Sequence, residues 1–229
     1  MAGARCGHRA TVEIWAAAHG DSRGEYDGVA SLYLPIAIAV CAVVFLAIAF
    51  AVVRYRVRSG HVEAKPTREH KPVELALAAL LSGVVALLVV VTFASQTRIQ
   101  AATPPRALRV DVTSFRWGWE FRYPTLGGIV TRSQPGRPAI LRVPAGALVH
   151  FTITSRDVIH AFWIPELKFK HDLYPDRRDA FDLRFPRSAS FLGGRCTVFC
   201  GLQHSDMTFS VAVMPRGEFD AWTRGRARG

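Results

Sequence analysis

The residues best suited to do chemistry lie close together near the C-terminal end, in Cys196-Thr-Val-Phe-Cys200-Gly-Leu-Gln-His204-Ser-Asp-Met207. Two thiols, an imidazole and a thioether are soft or borderline ligands, which suit copper or zinc better than magnesium or calcium. A second imidazole, His160, stands in Asp157-Val-Ile-His160-Ala-Phe-Trp-Ile-Pro165 and would reach the same site from an earlier loop. Three readings of these residues are open. Cys196 and Cys200 could pair as a disulfide in an extracytoplasmic domain. With His160 and His204 they could hold zinc, although zinc rarely takes the thioether that Met207 offers. They could hold copper. A single blue-copper site needs only one cysteine, two histidines and a weak methionine. The extra cysteine is therefore the informative residue, because two thiolates can bridge two coppers while each copper takes one histidine.

A loop between two strands can fold such a run around a metal, and the chain around it reads as strands. Leu108–Val112, Trp117–Tyr123, Ala139–Val143, Leu148–Ser155, Ala180–Phe185 and Met207–Val213 are short and β-rich. Pro-Gly at 135–136, Ala-Gly at 145–146 and Gly-Gly at 193–194 read as turns. Gly217–Thr223 reads as a short terminal helix. Many short strands over about 120 residues predict an all-β sandwich or Greek-key barrel spanning 104–229.

The first hundred residues have a different character. Leu32 to Val53 carries no charge and would span about 33 Å as a helix, enough for a bilayer core. Leu75 to Ala94 is a second uncharged run, and neither run has the polar face of a surface helix. They predict a transmembrane hairpin over 32–95. Its connection, 54–74, holds six Lys/Arg against three Glu, whereas the first 31 residues hold three Lys/Arg. The positive-inside rule then places the connection in the cytoplasm, and both termini and the β-domain outside. Residues 1–31 lack the apolar segment of an ordinary signal peptide, and no apolar run precedes Cys6 as a lipid-anchored cysteine would require. Thr103-Pro-Pro105 reads as a linker.

The formal net charge is +11. No basic cluster accompanies a recognition helix, so nucleic acid is not an expected partner; membrane lipid and an acidic protein partner remain. Cys6 and Cys41 have no evident partner, so the four cysteines do not form a disulfide framework. His171, beside Lys170, reads as a surface histidine.

Cys-x3-Cys-x3-His-x2-Met, with the preceding Asp-Val-x-His, resembles the CuA-binding region of cytochrome c oxidase subunit II. The resemblance runs from about Leu32 onward. It takes in the two-helix anchor, Trp117-Gly-Trp119, the Lys170-x-Asp172…Pro175-x-Arg177 stretch and the cysteine loop. It implies a cupredoxin-like β-domain in which Cys196 and Cys200 bridge two coppers and His160 and His204 bind one each. Met207 and the backbone carbonyl of Val198 would be weak ligands. It implies that Trp117 receives electrons from a cytochrome c or a cytochrome c domain, while Trp119 is mainly structural. It also places Glu74, at the cytoplasmic start of the second helix, at the mouth of a proton-uptake route; an ordinary helix-terminal glutamate is the alternative. The implied partners are oxidase subunits I and III, with electrons passing to haem in subunit I, in a bacterial plasma membrane.

Two departures from that family follow. Val198 stands where a glutamate usually helps hold magnesium or manganese, so that second metal site is expected to be altered or absent. Residues 106–229 hold 19 Lys/Arg against 11 Asp/Glu, which would repel a basic cytochrome c. Alternative functions are the copper subunit of a nitric oxide reductase-type haem–copper enzyme and a membrane-tethered copper-delivery protein.

Overall fold

The computed structural model describes residues 20–56, 70–99 and 107–226. It divides into two compact units, 27–95 and the remainder. Glu74 falls in the first, all the candidate copper ligands in the second.

Within the unit 27–95 the described residues form two long helices over the uncharged apolar runs, with Pro35 carried inside the first. Helix α1, Ser22–Arg54, starts after Asp21, whose Oδ1 accepts the Gly24 backbone N–H at 3.0 Å, the arrangement of an N-cap. The helix therefore begins ten residues before the uncharged run, within the N-terminal segment that the sequence sets apart. Helix α2 spans Lys71–Ile99. At 33 and 29 residues the helices are about 50 and 44 Å long. Both are long and apolar enough to cross a membrane, and side chains such as Phe45, Leu46, Leu75 and Phe93 point outward. Tyr33 donates its hydroxyl to the Leu88 carbonyl at 2.7 Å and ties the two helices together. The basic connection at 57–69 and the linker at 103–105 lie outside the described residues.

The second unit is a sandwich of two five-stranded sheets. Its strands are β1 Leu108–Phe115, β2 Gly118–Tyr123, β3 Ile129–Arg132, β4 Ala139–Pro144, β5 Leu148–Ser155, β6 His160–Ile164, β7 Phe169–Leu173, β8 Asp179–Arg184, β9 Ser190–Arg195 and β10 Thr208–Met214. The sheet orders are β3-β2-β1-β5-β8 and β4-β10-β9-β6-β7. The pairs β1–β5 and β4–β10 are parallel and the others antiparallel, so the chain crosses between sheets in cupredoxin manner. Helix α3, Arg216–Arg226, closes the domain. Alternation buries one face of each sheet: Val110 and Val112 from β1, Val149, Phe151 and Ile153 from β5, Val211 and Val213 from β10. At the centre Phe162 stacks on Phe209 at 4.8 Å, and Trp119 meets Phe209 edge-on at 5.1 Å.

The six expected strands are present, and β3, β6, β7 and β9 join them. The expected turn at Gly193-Gly194 is instead the middle of β9. Gly194 lies opposite Phe209, and a Cβ there would stand 2.1 Å from that ring, so glycine makes room for a core aromatic. The turns at 135–136 and 145–146 are as expected.

Candidate metal centre

The loop between β9 and β10 folds back on itself because the Cys196 N–H donates to the Met207 carbonyl at 3.0 Å, which sets both ends of the ligand run side by side. Gly201 turns the loop at φ +122°, a conformation open to glycine, and a Cβ there would press on the Trp117 ring at 3.0 Å. The His204 N–H donates to the Gly201 carbonyl at 3.1 Å, opening a single 3-10 turn, His204–Asp206, that brings the imidazole inward.

The result is a compact donor set. The Cys196 and Cys200 Sγ atoms are 4.0 Å apart. His160 Nδ1 lies 3.9 Å from Cys196 Sγ, and His204 Nδ1 lies 3.5 Å from Cys200 Sγ. Met207 Sδ is 3.8 Å from Cys200 Sγ, and the Val198 carbonyl oxygen is 3.3 Å from Cys196 Sγ. Ligand atoms of His160, Cys196 and Cys200 fall within 4.8 Å of one another, close enough to hold a metal ion. Every expected ligand is therefore brought together. Both thiols are free, and no disulfide joins them. The donors are two thiols, two imidazoles, a thioether and one carbonyl, a set that fits copper.

His160 opens strand β6 and is fully buried. Its Nε2 is held by Asp157 Oδ1 at 2.9 Å, leaving Nδ1 toward the sulfurs. Asp157 is fixed in turn by the Arg116 and Val158 backbone N–H groups, each at 2.7 Å. Sequence reading quoted this aspartate as part of a motif and gave it no role; its three-residue spacing from His160 was the available signal. Ligating histidines are commonly oriented through their other nitrogen in this way.

The two thiols titrate very differently. Burial pushes Cys196 up, but hydrogen bonds from His160 and the Ala161 N–H outweigh it and bring the thiol down to about 6. Burial and the adjacent Cys196 thiolate push Cys200 up to about 12. Burial lowers His160, yet its contacts with Cys196 and Asp157 leave it raised overall. Burial likewise raises Asp157, but its hydrogen bonds to His160 and the backbone win and hold it low. In the metal-free site Cys196 is thus the more acidic of the two thiols.

Trp117 sits in the β1–β2 turn, half-buried, rather than in the strand expected to begin there. Its indole N–H donates to the Cys200 carbonyl at 3.3 Å, so an accessible ring touches a ligand's own backbone. Trp119 is fully buried in the core. Glu74 lies in the first turn of α2, exposed, and is not part of this cluster. Val198 offers its carbonyl and no carboxylate. His171 is half-buried, its ring stacked on Phe181 at 5.3 Å. The metal end of the domain also exposes Phe199 at 81 % and Leu202 at 94 %, which sequence reading passed over because both sit inside a ligand motif.

Residues 137–214 match the family model described as cytochrome C oxidase subunit II, periplasmic domain. The chain is 35% identical over 120 residues to cytochrome c oxidase subunit 2 of Bacillus sp. (strain PS3), covering 50% of this chain and 32% of that protein. It is 27% identical over 216 residues to the probable cytochrome c oxidase subunit 2 of Streptomyces avermitilis, covering 78% of this chain and 67% of that one. Thus the chain spans about a third of the Bacillus protein and about two thirds of the Streptomyces one. Among solved structures, the periplasmic domain of subunit II of cytochrome oxidase (CoxB) of Bradyrhizobium japonicum aligns with a TM-score of 0.50 and 25% identity, over 56% of this chain and 98% of that one.

Proposed function

We propose that this chain, whose residues 137–214 match the cytochrome C oxidase subunit II periplasmic-domain model, is the electron-input subunit of a respiratory haem–copper oxidase. It accepts single electrons from a cytochrome c-type donor and hands them to haem in subunit I, where oxygen is reduced. The observation that carries this reading is the pairing of two thiols 4.0 Å apart, each with its own imidazole. That is twice the thiolate a mononuclear copper site needs.

In this reading Cys196 and Cys200, as thiolates, would hold two copper ions together with His160 and His204. Met207 and the Val198 carbonyl are the weak ligands. Two coppers held by these residues would supply a one-electron couple. The protein's part is to hold and shield the ligands. Asp157 fixes the His160 ring, the β-sandwich buries His160, Cys196, Cys200 and Met207 away from water, and Trp117 offers the donor a ring joined to the Cys200 carbonyl. Without a carboxylate at Val198, the neighbouring magnesium or manganese site is altered or absent. The hairpin α1–α2 anchors the chain in a bacterial plasma membrane beside subunits I and III, with both termini and the β-domain outside. Glu74 then stands at the inner mouth of a proton route.

The test is copper content together with electron paramagnetic resonance of the copper-loaded full chain. Two coppers per chain, with hyperfine structure from one electron shared by two nuclei, is the expected result. One copper with a localised spin, or preferential loading with zinc, would overturn the reading.

A further inference from the structure

Beside Trp117 the β-domain opens a cleft of about 700 Å³ whose walls include Phe115, Arg116, Arg137, Gln203 and Asp206. Arg116, Arg137 and Asp206 therefore line the same space as Trp117, whose indole bonds the Cys200 carbonyl. Arg116 is half exposed and shares Asp157 at 3.6 Å, but the Asp157 carboxylate is already engaged by His160 and two backbone N–H groups. Asp206, the one acid in the cleft wall, receives the Ser205 hydroxyl. Arg137 makes no ion pair among the described residues. The cleft is thus a place where a carboxylate from outside would find donors waiting.

The same end of the domain has the anatomy of a docking face. Ile159, Phe199 and Leu202 are exposed apolar side chains on the two loops that carry the metal ligands, and Trp117 packs against Gly201 between them. An apolar centre with a charged rim is how protein–protein contacts are built. The surplus of 19 Lys/Arg over 11 Asp/Glu across residues 106–229 gives the long-range field the sign of the local cleft.

We propose that this face docks a haem protein whose contact surface is acidic, with Arg116 and Arg137 taking its carboxylates beside Trp117. The proposal rests on the reading of Trp117 as the point of electron input. A protein donor is favoured over an anionic lipid because the cleft is walled by the ring that touches a ligand backbone; a lipid headgroup would make no use of that ring. Opposite charges at such a face mainly raise the association rate, and salt removes the gain.

The experiment uses membranes carrying the intact copper-loaded complex and follows copper reduction by stopped flow. Three reductants are compared: a soluble c-type cytochrome of net negative charge, one of net positive charge and similar potential, and a small neutral reductant. The negative cytochrome is expected to react about tenfold or more faster at low salt and to lose that lead as salt is added. Arg137→Glu is expected to cut or reverse the preference, and Arg137→Gln to fall between. A positive cytochrome that reacts faster and is slowed by salt, or a preference that Arg137→Glu leaves unmoved, overturns the docking proposal while leaving the electron-input reading standing. If no reductant, the neutral one included, delivers electrons to the copper, the electron-input reading itself falls and the docking proposal with it.

Discussion

At the scale of single residues, the site depends on two sulfurs that look alike in sequence and differ in the fold. Cys196 is drawn down to about 6 by His160 and the Ala161 N–H against the opposing effect of burial, while burial and its neighbour's charge push Cys200 up to about 12. Metal must displace the Cys200 proton at any neutral pH. It must displace the Cys196 proton only as the pH falls through about 6, where that thiolate is lost, and the raised His160 takes up a further proton before that point is reached. Copper affinity is therefore expected to climb with pH, with roughly one proton released per chain at about pH 8, and to fall more steeply on the acid side as His160 and then Cys196 take up protons. Competition against a chelator across that range checks this, and a pH-independent affinity would count against the assignment. Replacing either cysteine by serine is expected to abolish the shared-spin signal, since one thiolate cannot make both bridges. Asp157→Ala acts at one remove. It frees the His160 ring and should weaken copper binding about 10–100-fold, with the His160 ring nitrogen resonances shifting in the metal-free protein. An unchanged affinity would mean that the sandwich alone orients the ring.

At the scale of elements, the ligand loop is positioned by strands that short-range sequence signals describe unevenly. β1, β4, β5 and β10 follow from β-rich composition, because each alternates buried and less buried side chains. β9 was hidden by Gly193-Gly194, a pair that reads as a turn until Phe209 is known to lie across from Gly194. A methyl added at Gly194 has no room, its nearest neighbour being the buried Phe209 ring at 2.1 Å, whereas one at Gly193 would meet nothing closer than Glu166 at 3.8 Å. Gly194→Ala is expected to cost about 1–3 kcal/mol through overpacking, and Gly193→Ala far less, as read from thermal unfolding of the metal-free protein. Equal losses at both positions would show that backbone freedom, not the aromatic ring, selects glycine in β9. β6 was legible only as the stretch around a histidine, since His-Ala-Phe-Trp-Ile is nearly continuous in apolar character and short apolar runs do not declare their period.

At the scale of the whole molecule, the chain joins an apolar hairpin to a basic β-domain. The basic connection between the helices predicts that a membrane-impermeant reagent reaches a cysteine placed at Ser59 only from the cytoplasmic side, and one placed at Ser188 only from the outside; labelling in the opposite sense would invert the membrane arrangement. Sequence alone determined much of this molecule. The uncharged runs dictate helices because no partner in the chain could bury them, and the ligand types and their spacing dictate a soft-metal loop because chemistry is local to the side chains. Tertiary structure alone decided the rest. The contact of Cys196 with His160, the bond from Trp117 to the Cys200 carbonyl and the cleft lined by Arg116, Arg137 and Asp206 each bring together residues far apart in sequence, whereas the Asp157 hold on His160 spans only three residues. Burial and long-range hydrogen bonds arise only when the two sheets close on one another, so no local pattern announces the long-range contacts.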